Sequence, residues 1–190
     1  MTLTSIGRPV GVGAPAIFGA MDTSELLIDS FGRVRELYEG IPDELSREAA
    51  HRRPEGTGNP IVWLLWHTAR VQDDHMTGLS GAEQAWHAGW ADRFDLPFDR
   101  NDIGYGHTSD EVDAVRVEQL EDLVEYHRVV HQLTLKYLGR VDAGELDRVV
   151  DRNWNPPVTA GVRLVSLLGD CLQHLGQAAY VKGLSSIVRG

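Results

Sequence analysis

Two places in the 190-residue chain set metal-binding side chains four residues apart: Asp170 and His174 in GDCLQHLGQ, and His127 and His131 in EYHRVVH. On a helix that spacing stacks both donors on one face, with Cβ atoms about 6 Å apart. A third donor must come from another segment, and His67 in WLLWHTAR is the obvious one. It follows a strongly apolar turn, where an imidazole without a partner would be costly. Two imidazoles and one carboxylate suit a divalent cation with a coordination position left open. Each piece also has a plainer reading. Arg163, Ser166, Asp170, Gln173 and Gln177 share one stripe that would serve as the wet side of a helix. His67 could be a core histidine bonded to a backbone carbonyl, and His127 continues the stripe of Leu120, Leu123 and Val130.

The elements that must carry these residues are helical. Leu27, Phe31, Val34, Tyr38 and Ile41 recur at alternating intervals of four and three. That seam predicts a first helix, capped by Thr23 or Ser24 and ended by Gly40 and Pro42. A second helix opens at Asn59-Pro60, a cap followed by a first-turn proline, and runs through six consecutive apolar residues to His67, Arg70, Asp74 and His75. A helix apolar on every side is a buried one. A Ser80-Gly81 break follows, then a short helix near residues 82–87 and an aromatic loop with Trp86, Trp90, Phe94, Phe98 and Tyr105. Thr108-x-x-Glu111 predicts the capping box of a long third helix reaching Leu138. Asp142-x-x-Glu145 starts a brief helical turn, residues 148–151 can form a short strand, and Thr159 caps a last helix running to about Gly183 after the Asn155-Pro156-Pro157 breaker. Four principal helices with long connections predict an all-α four-helix bundle over residues 21–190. Residues 1–20, with four glycines and two prolines, read as an extended arm. The arm's GVGAPA lacks the preceding strand that a dinucleotide loop requires.

Composition narrows the function classes. Eighteen Lys+Arg against 28 Asp+Glu leave a formal charge of −10, which argues against a surface that tracks nucleic-acid phosphates. The single cysteine, Cys171, cannot form an intrachain disulfide and fits a reducing compartment. No apolar run approaches the roughly 20 residues that span a bilayer, and the first residues lack a signal peptide's basic and apolar regions. The expectation is a soluble, cytoplasmic protein without nucleic-acid or membrane partners.

NPIVWLLWHTARVQDDH together with GDCLQHLGQAAYVKG resembles the DinB-like superfamily. The likeness is nearest to its actinobacterial branch of mycothiol-dependent maleylpyruvate isomerase and mycothiol S-transferases. It spans about residues 22–185, and its most specific elements are the second-helix histidine and the last-helix H-x-G-Q. The resemblance implies a DinB-like four-helix bundle, often dimeric. Its metal is held by a histidine of the second helix and a pair of donors from the last, which here are His67, Asp170 and His174. Many DinB-like proteins have histidine in the place of Asp170, and the mycothiol isomerase branch has glutamate. Aspartate keeps the charge but is one methylene shorter, which draws the metal toward its helix.

The resemblance also implies mycothiol, or a comparable thiol, as cosubstrate. Zinc in such a site would ionise a bound thiol and would lower bound water to a pKa of about 7. The expected activity is thiol transfer to a small electrophile, or thiol-assisted isomerisation of one. The alternatives are a hydrolase using activated water and a non-catalytic, stress-related metal-binding bundle. Around the metal, Asp74 would orient a ligand or act as a base, and Arg70 would hold an acidic substrate group, unless the two simply pair at i, i+4. Gln177 would steady His174, and Trp154, with Tyr105 and His107, would wall the cosubstrate pocket. Cys171 reads as a small buried hydrophobe.

Overall fold

The computed structural model describes residues 21–187. The arm expected at residues 1–20, with its GVGAPA stretch, lies outside them. Four long helices carry the architecture: α1 (Thr23–Gly40), α2 (Ile61–Ser80), α3 (Leu120–Leu138) and α4 (Ala160–Ile187). Their directions follow from their contacts. Ser24 Oγ donates to Leu138 O at one end of the α1–α3 pair, while Arg128 and Glu39 pair at the other, so α1 and α3 are antiparallel. Tyr126 OH donates to Asp73, Gln72 to Thr134, and Arg140 to Ser80 O, so α2 and α3 run in parallel. His67 faces His174 across an antiparallel α2–α4 pair, and Lys182 Nζ reaches Gly40 O where α4 and α1 run together. Parallel neighbours cannot be joined by a tight turn, which is why residues 81–119 form a long crossover.

The core is built from the seams read in the sequence. Phe31, Val34, Tyr38 and Ile41 of α1 are buried, and residues 61–73 of α2 are buried without exception. They meet Leu123, Tyr126 and Val130 of α3, and Leu164, Leu167, Cys171 and Leu175 of α4. Among the described residues no helix is long and apolar enough to cross a membrane.

Several boundaries differ from expectation for identifiable reasons. The α1 cap is Asp22, not Thr23 or Ser24: Asp22 and Glu25 exchange side-chain-to-backbone bonds in a capping box, and Ser24 is engaged by Leu138 O instead. Pro60 itself occupies the cap of α2, one residue later than the Asn59 cap expected, with no side-chain hydrogen bond there. The Thr108–Glu111 capping box exists but starts only a short helix, Ser109–Ala114. Val115 and Val117 then bury alternately along extended backbone, as β-branched residues favour, and α3 restarts at Leu120. The short helix expected near residues 82–87 is a 3₁₀ turn, Ala85–Ala88, separated from a helix Trp90–Phe94 by Gly89 at φ 116°. Asp73 holds that turn by accepting the N–H groups of Ala85 and Trp86. The short strand is β1 (Val149–Asp151), paired antiparallel with β2 (Val158–Thr159). Thr159 Oγ1 accepts from Val162 N at 3.3 Å and so caps α4, which continues past Gly183.

Candidate metal centre

The middle of α2 and the middle of α4 bring His67, Asp170 and His174 together. One donor atom from each lies within 4.8 Å of the other two. The two imidazoles meet edge to face, with ring centroids 4.7 Å apart and planes at 86°. His174 Nε2 stands 3.6 Å from Asp170 Oδ1. His67 is buried, and the two α4 residues are half-buried.

The hydrogen bonds of the rings determine which nitrogens face inward. His67 Nδ1 donates to the backbone oxygen of Ile103, and His174 Nδ1 donates to Gln177 Oε1 at 3.1 Å. Each bond places the proton on Nδ1 and leaves the Nε2 lone pair for a ligand, the arrangement that metal-binding histidines use. Asp170 Oδ2 is buried without a hydrogen-bond partner. An orphaned carboxylate oxygen costs free energy, and a cation beside it removes that cost. The donor set therefore fits a divalent metal.

The electrostatics agree. Burial pushes His67 below the ordinary imidazole value, partly countered by the Ile103 carbonyl, so it is neutral near pH 7. Asp170 beside it pushes His174 up. Burial raises Asp170, but the facing imidazoles of His174, His67 and His75 more than offset this, and its carboxyl sits below the usual range. Metal uptake at such a site releases a proton as pH falls.

The crossover fixes His67 from behind. A Cβ at Gly104, whose φ is +86°, would lie 2.8 Å from His67 Nδ1 and 2.9 Å from Trp66, so only glycine lets the Ile103 carbonyl approach the ring. Asp102 Oδ1 accepts from Gly104 N at 2.7 Å, and its carboxylate also engages His107 Nε2 at 3.1 Å. His107 Nδ1 in turn accepts from Trp63 Nε1 at 3.1 Å, and Trp63 stacks on His67 at 4.6 Å. Of this support, sequence reading named only His107, as a pocket wall. The glycines of DIGYGH were the available signal for a close backbone approach.

Arg70 does not reach the site. Its side chain is completely buried, with Nε on Asp102 O at 3.2 Å, Nη1 on Gln84 at 2.9 Å and its guanidinium 4.7 Å over the Trp86 ring. It anchors the crossover to α2 and cannot meet a substrate. It pairs, at 3.8 Å, with Asp73 instead of Asp74. Asp74 accepts from Gln84 Nε2 at 3.0 Å and faces a neighbouring cavity with His75 and Arg163. Gln177 contacts His174 as described. Trp154 is 65% exposed in the turn between β1 and β2, and Tyr105 is 90% exposed; the aromatic ring packed on both histidines is Trp63.

The other histidine pair is core. His127 stacks flat on Tyr38 at 3.9 Å, its Nε2 lies 3.2 Å from Gln72 Oε1, and burial lowers it to about 3. Among the described residues no third ligand converges on it. Cys171 is buried, and that burial pushes its thiol up, away from reactivity.

Comparison with known proteins gives a consistent picture. A family model described as DinB superfamily matches residues 30–178. A solved structure titled as the crystal structure of the conserved protein of locus from Enterococcus faecalis is similar over 86% of this chain and 96% of its own. It shares 32% sequence identity, with a TM-score of 0.79. No curated protein matches the chain.

Proposed function

The chain belongs to the DinB superfamily, and from that premise we propose that it is a metal-dependent enzyme whose divalent cation, zinc foremost, is held by His67, Asp170 and His174. The reaction assigned to it is transfer of a low-molecular-weight thiol such as mycothiol to a small electrophile, or thiol-assisted isomerisation of one. Membership supports the metal, because the family often binds one. The single observation that carries the reading is the Asp170 carboxylate between two imidazoles that are both held through Nδ1, with its Oδ1 3.6 Å from His174 Nε2 and its Oδ2 buried without a partner. A cation there supplies Lewis acidity, favouring the ionised form of a thiol at neutral pH.

The protein's own groups prepare that chemistry. His67 and His174 are locked through Nδ1, so no rotamer search precedes ligand capture. One carboxylate against two neutral imidazoles leaves any bound divalent ion net positive, which favours an anionic sulfur. Trp63 covers the face of His67 and keeps water off that side of the site. The crossover, anchored by Arg70 and Asp102, holds the Ile103 carbonyl in place.

The test is a turnover assay on one preparation, with and without added thiol and with His174→Ala in parallel. Thiol-dependent consumption of an electrophile that disappears in the variant is the expected result. Turnover indifferent to thiol would reassign the protein to hydrolysis. Wild-type protein without stoichiometric divalent metal, and unchanged by His67→Ala, would remove both enzymatic readings.

A further inference from the structure

On the Asp74 side of the triad, α2 and α4 bound a cavity of about 140 Å³, lined by Asp74, His75, Gly78, Leu79, Val150 and Arg163. Asp74 lies seven residues past His67, and Arg163 seven before Asp170, which in antiparallel helices is the same direction and about two turns, roughly 10 Å. His75 stands between, in the electrostatic field of both Asp170 and Arg163. A volume of this size holds several waters at roughly 30 Å³ each, or one small polar headgroup.

The charges on this cavity are held apart. Asp74 and Arg163 form no ion pair with each other among the described residues: Asp74 Oδ2 lies 3.6 Å from His75 Nδ1, and Arg163 Nη2 lies 3.4 Å from Asp151 Oδ2. Both side chains stay partly exposed. Fixed on two rigid helices, they present one positive and one negative group across a shared space. Arg163 meets Asp151 through Nη2, and its other N–H groups meet no carboxylate among the described residues. A simple anion would meet them but be repelled by Asp74 and Asp151, and a simple cation would be drawn to the carboxylates but leave those N–H groups unused. The complement is a ligand that carries both charges. A two-substrate reaction also needs two places, and none of the triad residues lines this cavity.

We propose that the cavity binds the α-amino acid end of the electrophilic substrate, with Arg163 taking the carboxylate, Asp74 the ammonium, and Gly78 leaving the room for both. The electrophile is then an amino acid whose side chain reaches the two turns back between α2 and α4 to place its reactive carbon at the triad. This assignment of substrate class rests on the reading of the triad as the seat of thiol activation, but the cavity can be tested without metal.

The experiment is calorimetric or NMR titration of the metal-free protein with L-2-aminobutyrate, and with butyrate and propylamine as single-charge counterparts. Aminobutyrate should bind at least tenfold more tightly than either. Arg163→Met and Asp74→Asn should each weaken it tenfold or more. Gly78→Leu should do the same by filling the space, while its better helix propensity preserves the fold; circular dichroism checks all three. Equal binding of butyrate or propylamine, unchanged binding in the variants, or no binding to the wild type would overturn the proposal. A zinc titration of the same samples separates the two readings. Zinc uptake without aminobutyrate binding sinks the cavity alone, whereas aminobutyrate binding without zinc uptake sinks the triad and leaves the cavity.

Discussion

His127 and His131 on α3 and Asp170 and His174 on α4 share one spacing and have opposite fates. The α3 pair points into the bundle, where Tyr38 covers one ring and Gln72 takes its Nε2. No group of three donors forms around it among the described residues. The α4 pair looks across at His67, keeps a carboxylate oxygen unpartnered, and stays half-buried. Spacing establishes only that two side chains share a face. The element packed against that face decides whether they become core or site.

The largest expected effect breaks this contrast by deletion. His67→Ala or His174→Ala should weaken zinc binding at least 100-fold, measured by competition with a chromophoric chelator. His127→Ala should leave zinc affinity within a few-fold but lower folding stability by roughly 2–4 kcal/mol in urea denaturation, as loss of a packed core ring does. If His127→Ala abolished zinc binding and His174→Ala did not, the two regions would have to exchange roles.

Next comes the crossover. Gly104→Ala forces a Cβ against His67 and Trp66 at a backbone conformation that disfavours it. Zinc affinity should fall about 10–100-fold, the usual range for loss of an outer support. Unchanged affinity would mean that the Ile103 carbonyl does not hold the ring.

pH dependence sharpens the comparison. His127 titrates at about 3 when folded, against roughly 6.5 when unfolded. Below pH 6.5 the unfolded chain binds the extra proton, so His127's contribution is complete above that pH and lost as pH falls toward 3. The slope approaches about 1.4 kcal/mol per pH unit. Within the triad, burial tilts His67 the same way, while Asp170 tilts His174 the opposite way. His174's contribution is complete below pH 6.5 and lost as pH rises through its raised folded value. His127→Gln should therefore flatten the acid limb of a stability–pH curve more than His174→Gln. The smallest effect is Gln177→Ala, which should cost up to about tenfold in zinc affinity by freeing the His174 ring.

Much of this was legible in the sequence because local rules governed it. The apolar seam from Phe31 to Ile41, the unbroken apolar run before His67 and the shared face of Asp170 and His174 on the last helix each follow from spacing. What escaped depended on packing between distant segments. The Thr108–Glu111 box truly starts a helix, but burial of Val115 and Val117 interrupts it before Leu120. Arg70 shares a helix with His67, yet burial against Trp86 and the crossover removes it from any substrate. Trp154 and Trp63 are the same residue type, and only the three-dimensional arrangement puts Trp63 against the histidines.

Anomalous diffraction at the zinc edge, on crystals grown with one equivalent of zinc, locates the ion itself. One ion is expected, bound by Nε2 of His67 and of His174 at about 2.0–2.1 Å and by an Asp170 oxygen at about 2.0–2.2 Å, with a further position not filled by protein. An ion lodged elsewhere, such as at His127 and His131, or no ion between α2 and α4, would contradict that expectation.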